Sequence, residues 1–232
     1  MDYYYNTMVG KEGGDGSPYG TFDGTVFGSP GLSFSPPAIA FNPQPVSTTS
    51  SGLSVTITNN TASTITLTSE VLQTGTNFAI SGNTCGGSLS AAASCAVTLT
   101  FTPLSAATLT DNLVVTSSGA GSPQSVSISG IGLATPVISP VTGSYTGTQT
   151  VSITDATAGV TVYYTVDGSS PTNASTVYSG SFFVSTTTTV KAIAYLSGVA
   201  SGINTSVLTI SGTNNNLTTN VSHTVFSHVT IN

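Results

Sequence analysis

From Leu32 onward the chain alternates between apolar and hydroxyl-bearing residues with a period of two. Leu53, Val55 and Ile57 fall on one side of the alternation, and Ser54, Thr56 and Thr58 on the other. That period puts successive side chains on opposite faces of an extended strand, one face dry and one wet. The same signature returns at Ile65/Leu67, Val97/Leu99/Phe101, Leu113/Val115 and Val126/Ile128. Turn formers punctuate the runs: Asn59-Asn60, Gly82-Asn83, Gly86-Gly87 and Gly119–Pro123. Short strands at near-regular spacing with such punctuation predict a β-sandwich, and no segment carries a helical stripe. The stretch Gly130–Pro140 reads as a linker that follows a strand ending at Ile128 and opens a second unit. Alternation resumes there at Val151/Ile153, Val160/Val162, Val177, Phe182/Val184 and Val190/Ala192/Ala194, and closes at Val207–Ile210. Asp167-Gly168, which follows Val162–Val166, is a tight-turn dipeptide.

The expected fold class is all-β: two tandem immunoglobulin/fibronectin-like β-sandwiches with extended N- and C-terminal segments. Residues 1–30 form a Gly/Tyr-rich leader, 31–133 and 134–210 the sandwiches, and 211–232 a tail. In the tail, after the polar Asn214–Asn216, a period of two places Val221, His223, Val225, Val229 and Ile231 on one face. Thr224, Phe226, His228 and Thr230 take the other. Ten such residues in extended form span ~33 Å. A lone strand is not stable and must add to a sheet edge, in its own chain or in a neighbour's.

Composition sharpens this reading by exclusion. Charged residues make up 4% of the chain, with two lysines and no arginine against eight carboxylates, where about 25% is usual. Serine and threonine supply about a third of the residues, so the polar faces are made of hydroxyls. Two cations give no footprint for phosphate backbones, which excludes nucleic acid, and no basic patch for anionic lipid. No run reaches the length of apolar sequence that a membrane span needs. The N-terminal Met1-Asp2-Tyr3-Tyr4-Tyr5 lacks the basic and apolar regions of a secretory signal.

Candidate chemistry is sparse. Nucleophilic catalysis needs a base beside the nucleophile. The only histidines, His223 and His228, are five apart, on opposite faces of a strand. Glycosidase chemistry needs paired carboxylates, and the two sandwiches hold only Glu70, Asp111, Asp155 and Asp167. Asp155 and Asp167 sit in loop or turn sequence, where an acid usually caps backbone amides. The expectation is no enzyme, no cofactor and no metal site; Glu12, Asp15 and Asp23 in the leader match no calcium-loop spacing. Cys85 and Cys95 lack the spacing of a redox or zinc pair. A local disulfide between strand ends is the reading, with a buried thiol pair as the alternative. A disulfide implies an oxidising compartment, hence an extracellular or cell-surface location. Tyr164, Tyr178 and Tyr195 are candidate glycan contacts, although Tyr163 and Tyr164 are adjacent in a strand and only one of them can face out. Asn59, Asn173, Asn204, Asn216 and Asn220 head N-x-S/T sequons.

Two resemblances cover about three quarters of the chain. Segment 32–133 carries Phe41-x-Pro43-Gln44-Pro45-Val46, Val55-Thr-Ile-Thr-Asn59-Asn60, Phe78, Asn83-Thr84-Cys85, Ser94-Cys95, Val97-x-Leu99-x-Phe101-x-Pro103 and Ser129-Gly130-Ile131-Gly132. It resembles the immunoglobulin-like choice-of-anchor D domain, related to Hydin-type domains. Segment 135–210 carries Pro136-x-x-Ser139-Pro140, Gly143-x-Tyr145, the string from Val162 to Thr172, Tyr178-Ser179-Gly180 and Val190-Lys191-Ala192-Ile193-Ala194. It resembles the fibronectin-III-like C-terminal domain of chitobiases and β-hexosaminidases, an accessory domain without the catalytic barrel. The expected function is a non-enzymatic structural subunit that assembles head-to-tail with copies of itself by strand complementation. A polysaccharide-binding accessory module or adhesin, and a virion fibre protein, are the alternatives.

Overall fold

The computed structural model describes residues 31–212, and every regular element in them is a strand. The first ten are β1 (Leu32–Ser35), β2 (Ala38–Ala40), β3 (Gln44–Pro45), β4 (Leu53–Asn59), β5 (Ile65–Leu72), β6 (Phe78–Asn83), β7 (Ser88–Leu89), β8 (Ser94–Phe101), β9 (Thr108–Ser117) and β10 (Gln124–Leu133). They form a sheet ordered β1-β4-β8-β6 that faces a second ordered β2-β10-β9-β5-β7, with β3 also on β10. The pairings are antiparallel except those of β2 and β3, which run parallel to β10. The alternation read from sequence places Val55, Ile57, Val97, Leu99, Phe101, Leu113, Val115, Val126 and Ile128 in one buried core. At its centre three phenylalanines pack together, with ring centroids 4.9 Å apart for Phe78–Phe101, 5.7 Å for Phe41–Phe101 and 6.0 Å for Phe41–Phe78.

The remaining strands are β11 (Val137–Ser139), β12 (Gly143–Thr146), β13 (Gln149–Thr154), β14 (Thr161–Thr165), β15 (Thr176–Val177), β16 (Phe182–Val184), β17 (Thr188–Leu196), β18 (Val199–Ala200) and β19 (Asn204–Ser211). A three-stranded sheet, β11-β13-β16, faces a larger one ordered β12-β19-β17-β14-β15, with β18 on β17. Ile138, Val151, Ile153, Val184, Val190, Ala192 and Leu208 form the core between them. The fold is all-β, with immunoglobulin- and fibronectin-III-like sandwich topology.

Two local readings need correction. Gly130–Leu133 is not linker: β10 runs through to Leu133, and only Ala134, Thr135 and Pro136 separate it from β11. The glycines there serve close approach, not flexibility. A Cβ on Gly130 would stand 2.6 Å from the Phe101 ring, and one on Gly132 would collide with the Ser105 carbonyl oxygen. Asp167-Gly168 is not a two-residue hairpin either. β14 returns as β15, pairing Tyr163 with Val177, after the long loop from Val166 to Ser175.

The hydroxyls of the outer faces replace charge pairs. Ser54 and Thr98, directly opposite on β4 and β8, share a 2.8 Å hydrogen bond, and Thr58 and Ser94 repeat it at the far end of the ladder. Cross-strand pairs of this kind stabilise a sheet without any titratable group.

Candidate assembly edge and aromatic cluster

Each acid of the described sandwiches is tied up locally. Asp111 is buried on β9. Its Oδ1 accepts from the backbone N–H groups of Thr74 and Asn112, and its Oδ2 from the Thr74 hydroxyl and the Gly75 N–H. Burial raises its pKa, but the hydrogen bonds from Gly75, Asn112 and Thr74 outweigh it and hold the carboxyl below its ordinary value. Glu70 Oε2 accepts from Asn83 Nδ2, and Asp155 Oδ1 from the Thr157 N–H. Asp167 Oδ1 accepts from the hydroxyl and backbone N–H of Ser169, the main causes of its lowered pKa. No His, Cys, Asp and Glu side chains gather in a group of three among the described residues. In these sandwich modules the acids cap loops and bridge strands.

The two cysteines are joined: the Cys85–Cys95 disulfide links the residue just beyond Thr84 to β8. The Thr84 N–H donates to the Ala96 carbonyl at 2.9 Å and the Ala96 N–H to the Thr84 hydroxyl at 2.8 Å. The end of edge strand β6 is thereby fixed to its neighbour.

The three tyrosines considered for glycan contact do not come together. Tyr164 points inward and stacks on Phe182 at 4.7 Å, with Tyr178 edge-on at 6.1 Å. Tyr195 lies on the opposite face of the sheet, edge-on to Tyr163 at 5.6 Å. Phe182 therefore covers one face of the Tyr164 ring. Two of the candidate glycosylation sites are likewise committed. Asn59 is fully buried, and its Nδ2 donates to the carbonyls of Ser63, Leu89 and Ser90 while Oδ1 accepts from Thr61. Asn204 Nδ2 donates to the Pro136 carbonyl at 2.8 Å. Asn173 is exposed. Asn216, Asn220, the leader acids and the tail residues Val221, His223, Val225, Val229 and Ile231 lie outside the described residues.

The aromatic cluster marks an open side of the second sandwich. Tyr164, Tyr178 and Phe182 pack against the core but stay half-buried. Beside them β16 has, among the described residues, one neighbour, β13, and a free edge. On its outer face Phe183 is 76% exposed, the largest value among the exposed apolar side chains of the described residues. A shallow cleft of about 330 Å³ adjoins, lined by Tyr164, Asp167 and Thr176 among others. Sequence periodicity places Phe182 and Val184 inward, but it gave no sign that β16 is an edge. That follows from strand order, which depends on long-range pairing.

Among known proteins, residues 30–125 match the family model described as abnormal spindle-like microcephaly-associated, ASPM-SPD-2-Hydin. Residues 140–208 match that of the chitobiase/β-hexosaminidase C-terminal domain. Each model covers less than half of the chain. No curated protein matches the sequence. Among solved structures, the ASH/PapD-like domain 7 of human CEP192 is 15% identical over 45% of this chain and 86% of that one, with a TM-score of 0.35. The titin I-band fragment I67–I69 is 10% identical over 79% of this chain and 66% of that one, TM-score 0.40. The Vibrio cholerae VesB protease is 18% identical over 44% of this chain, TM-score 0.35, and the match takes in 32% of the protease's length. At these scores none bears on activity. Immunoglobulin-like β-sandwich modules are present in the chain.

Proposed function

We propose that the protein is a non-enzymatic, extracellular structural subunit that assembles into a filament or surface layer by β-strand complementation between copies. In this reading residues 31–133 are a choice-of-anchor D-like unit and 134–210 a chitobiase C-terminal-type unit. The segment 220–231 is the donated strand, with Val221, Val225, Val229 and Ile231 turned toward the acceptor. The observation that carries the reading is the state of the sheet edges. β1, β2, β3, β6, β7, β11, β12, β15, β16 and β18 contain no charged residue. The one lysine in the described residues, Lys191, sits on β17 between β14 and β19. Charged side chains on edges are a common defence against edge-to-edge pairing, and these edges lack it. Main-chain hydrogen bonding of an added strand, with alternate side chains in a groove, is a general mode of recognition. A head-to-tail contact that does not close produces open fibres. The disulfide supports an extracellular setting.

Electron microscopy and sedimentation of the full chain beside a deletion of 211–232 test the reading. Filaments from the full chain and monomers from the deletion are expected. Equal behaviour of the two, or monomers from both at high concentration, overturns it.

A further inference from the structure

We infer that the acceptor edge is β16 of a neighbouring copy, and that Phe183 there pairs with Phe226 of the incoming tail. This rests on the strand-donation reading and names its second half.

Several physical observations single out β16. Other edges are blunted. β1 runs directly into Pro36-Pro37, β3 contains Pro45, and β11 lies between Pro136 and Pro140. β6 carries a register irregularity between Ile80 and Gly82 and is tied down by the disulfide. β7, β15 and β18 are two residues long. β2 begins directly after Pro37, and β12 follows Pro140 by three residues. β16, by contrast, lies within an unbroken run from Thr172 to Val190 that has neither proline nor charge. An incoming strand would find unblocked main chain on both sides of Phe182–Val184.

The two faces of β16 match the two faces of the tail. Inward, Val184 is buried, and Phe182 is half-buried on the side of the sandwich left open beside Tyr164 and Tyr178. A strand added there continues the core with its own apolar row, and the tail's aliphatic face of Val221, Val225, Val229 and Ile231 supplies one. Outward, β16 shows Phe183, paired across β13 only with Thr150. The tail's other face holds a single aromatic residue, Phe226, among Thr224, His228 and Thr230. With Phe226 opposite Phe183, the neighbouring Val225 falls on the inner face, level with Phe182 or Val184. Aromatic cross-strand pairs are among the favourable ones in sheets.

β19, after which the tail leaves, lies on the β11 side of the sandwich: Asn204 Nδ2 reaches the Pro136 carbonyl and the Ser206 hydroxyl the Pro140 carbonyl. β16 lies at the other side, against β14 through the Tyr164–Phe182 stack. The end of β19, where the tail leaves, comes back toward β16: the Ile210 N–H donates to Thr187 Oγ1, three residues past Val184, so a covalent trap separates a neighbour's β16 from the chain's own.

The test is a covalent trap in the full chain. The only native cysteines, Cys85 and Cys95, are bonded to each other, so Phe183→Cys with Phe226→Cys adds a single new pair. Oxidation is expected to give a ladder of multimers on a non-reducing gel, and each single variant at most a dimer. A Phe183→Lys variant is expected to keep the wild-type melting temperature and lose at least tenfold in polymer. Mixed with the 211–232 deletion, it is expected to give capped dimers, since one partner keeps a donor and the other an acceptor. If the full chain polymerises and the deletion does not, yet the trap gives no ladder and Phe183→Lys still polymerises, the β16 assignment is wrong and strand donation stands. A trapped pair confined to monomers overturns donation to a neighbour. If the deletion polymerises like the full chain, the underlying reading fails and this inference with it.

Discussion

The two sandwiches put their aromatic residues in opposite places. In the first, Phe41, Phe78 and Phe101 meet at the centre of the core, and none is more than 7% exposed. In the second, the centre is held by Val151, Val190, Ala192 and Leu208, while Tyr164, Tyr178 and Phe182 line an open flank, half-buried. The first also has a disulfide and a buried, fully hydrogen-bonded carboxylate; among the described residues the second has neither. The difference separates a unit that completes its own burial from one that leaves apolar surface for something else to cover.

Core truncation should show the contrast most strongly. Phe101→Ala removes a ring that touches two others, and Phe/Trp→Ala changes in cores cost about 3–5 kcal/mol. Phe182→Ala in the second unit removes a half-buried ring, so its expected cost is about half of that or less. Calorimetry of the 211–232 deletion should show the first variant lowering one unfolding transition steeply and the second lowering the other slightly. Equal losses would mean that the open flank is a closed core after all.

The disulfide comes next. Replacing both Cys85 and Cys95 by Ser releases a short loop, whose closure contributes about 2–3 kcal/mol in the chain-entropy account. The loss should fall on the first transition alone, and limited proteolysis should then cut near Gly86-Gly87, which stand outside any strand. Unchanged melting would show that the Thr84–Ala96 hydrogen bonds already fix the end of β6.

How much of this was legible in the sequence differs between the cores and the site. The core strands were, because each carries its own evidence: Val97, Leu99 and Phe101 alternate with hydroxyls whatever they pair with. The parallel strands β2, β3 and β12 were not, since their registers are set by β10 and β19 and leave no local pattern. Gly130 and Gly132 read as flexible linker because a glycine required by the close approach of a ring (Phe101) or a backbone carbonyl (Ser105) looks the same in sequence as one required by a turn. Asn59 read as a sequon for a similar reason, its burial being decided by Leu89 and Ser90 thirty residues away. The exposed edge at β16 was the least legible part. Phe182-Phe183-Val184 looks like any short apolar run until strand order shows that no strand of the described residues lies beyond it.

Acid should separate the units again, by a smaller amount. The folded pKa of Asp111 is below its unfolded value of about 3.9. Its contribution is therefore fully present above that value and is lost as pH falls through the lower folded one. The first transition should hold steady from pH 9 to 4 and weaken below. Asp111→Asn puts an amide N–H₂ where backbone donors already point. It should cost about 1–3 kcal/mol at neutral pH and flatten the acid limb of the first transition, leaving the second unmoved. A steep loss between pH 4 and 9, or an acid limb unchanged by Asp111→Asn, would place the titrating group elsewhere.

The smallest expected effect bears most directly on the open flank. Phe183→Thr puts a β-branched strand former on β16 and removes an outward ring. In the 211–232 deletion, where no tail is available to cover it, the change should move stability by less than about 0.5 kcal/mol, as for surface substitutions away from special features. The same substitution in the full chain should weaken assembly, because the ring then has a partner to lose. A loss well above 1 kcal/mol in the deletion would show that Phe183 already packs within its own sandwich. Its 76% exposure would then no longer mark surface held in reserve, and the second unit would be as self-contained as the first.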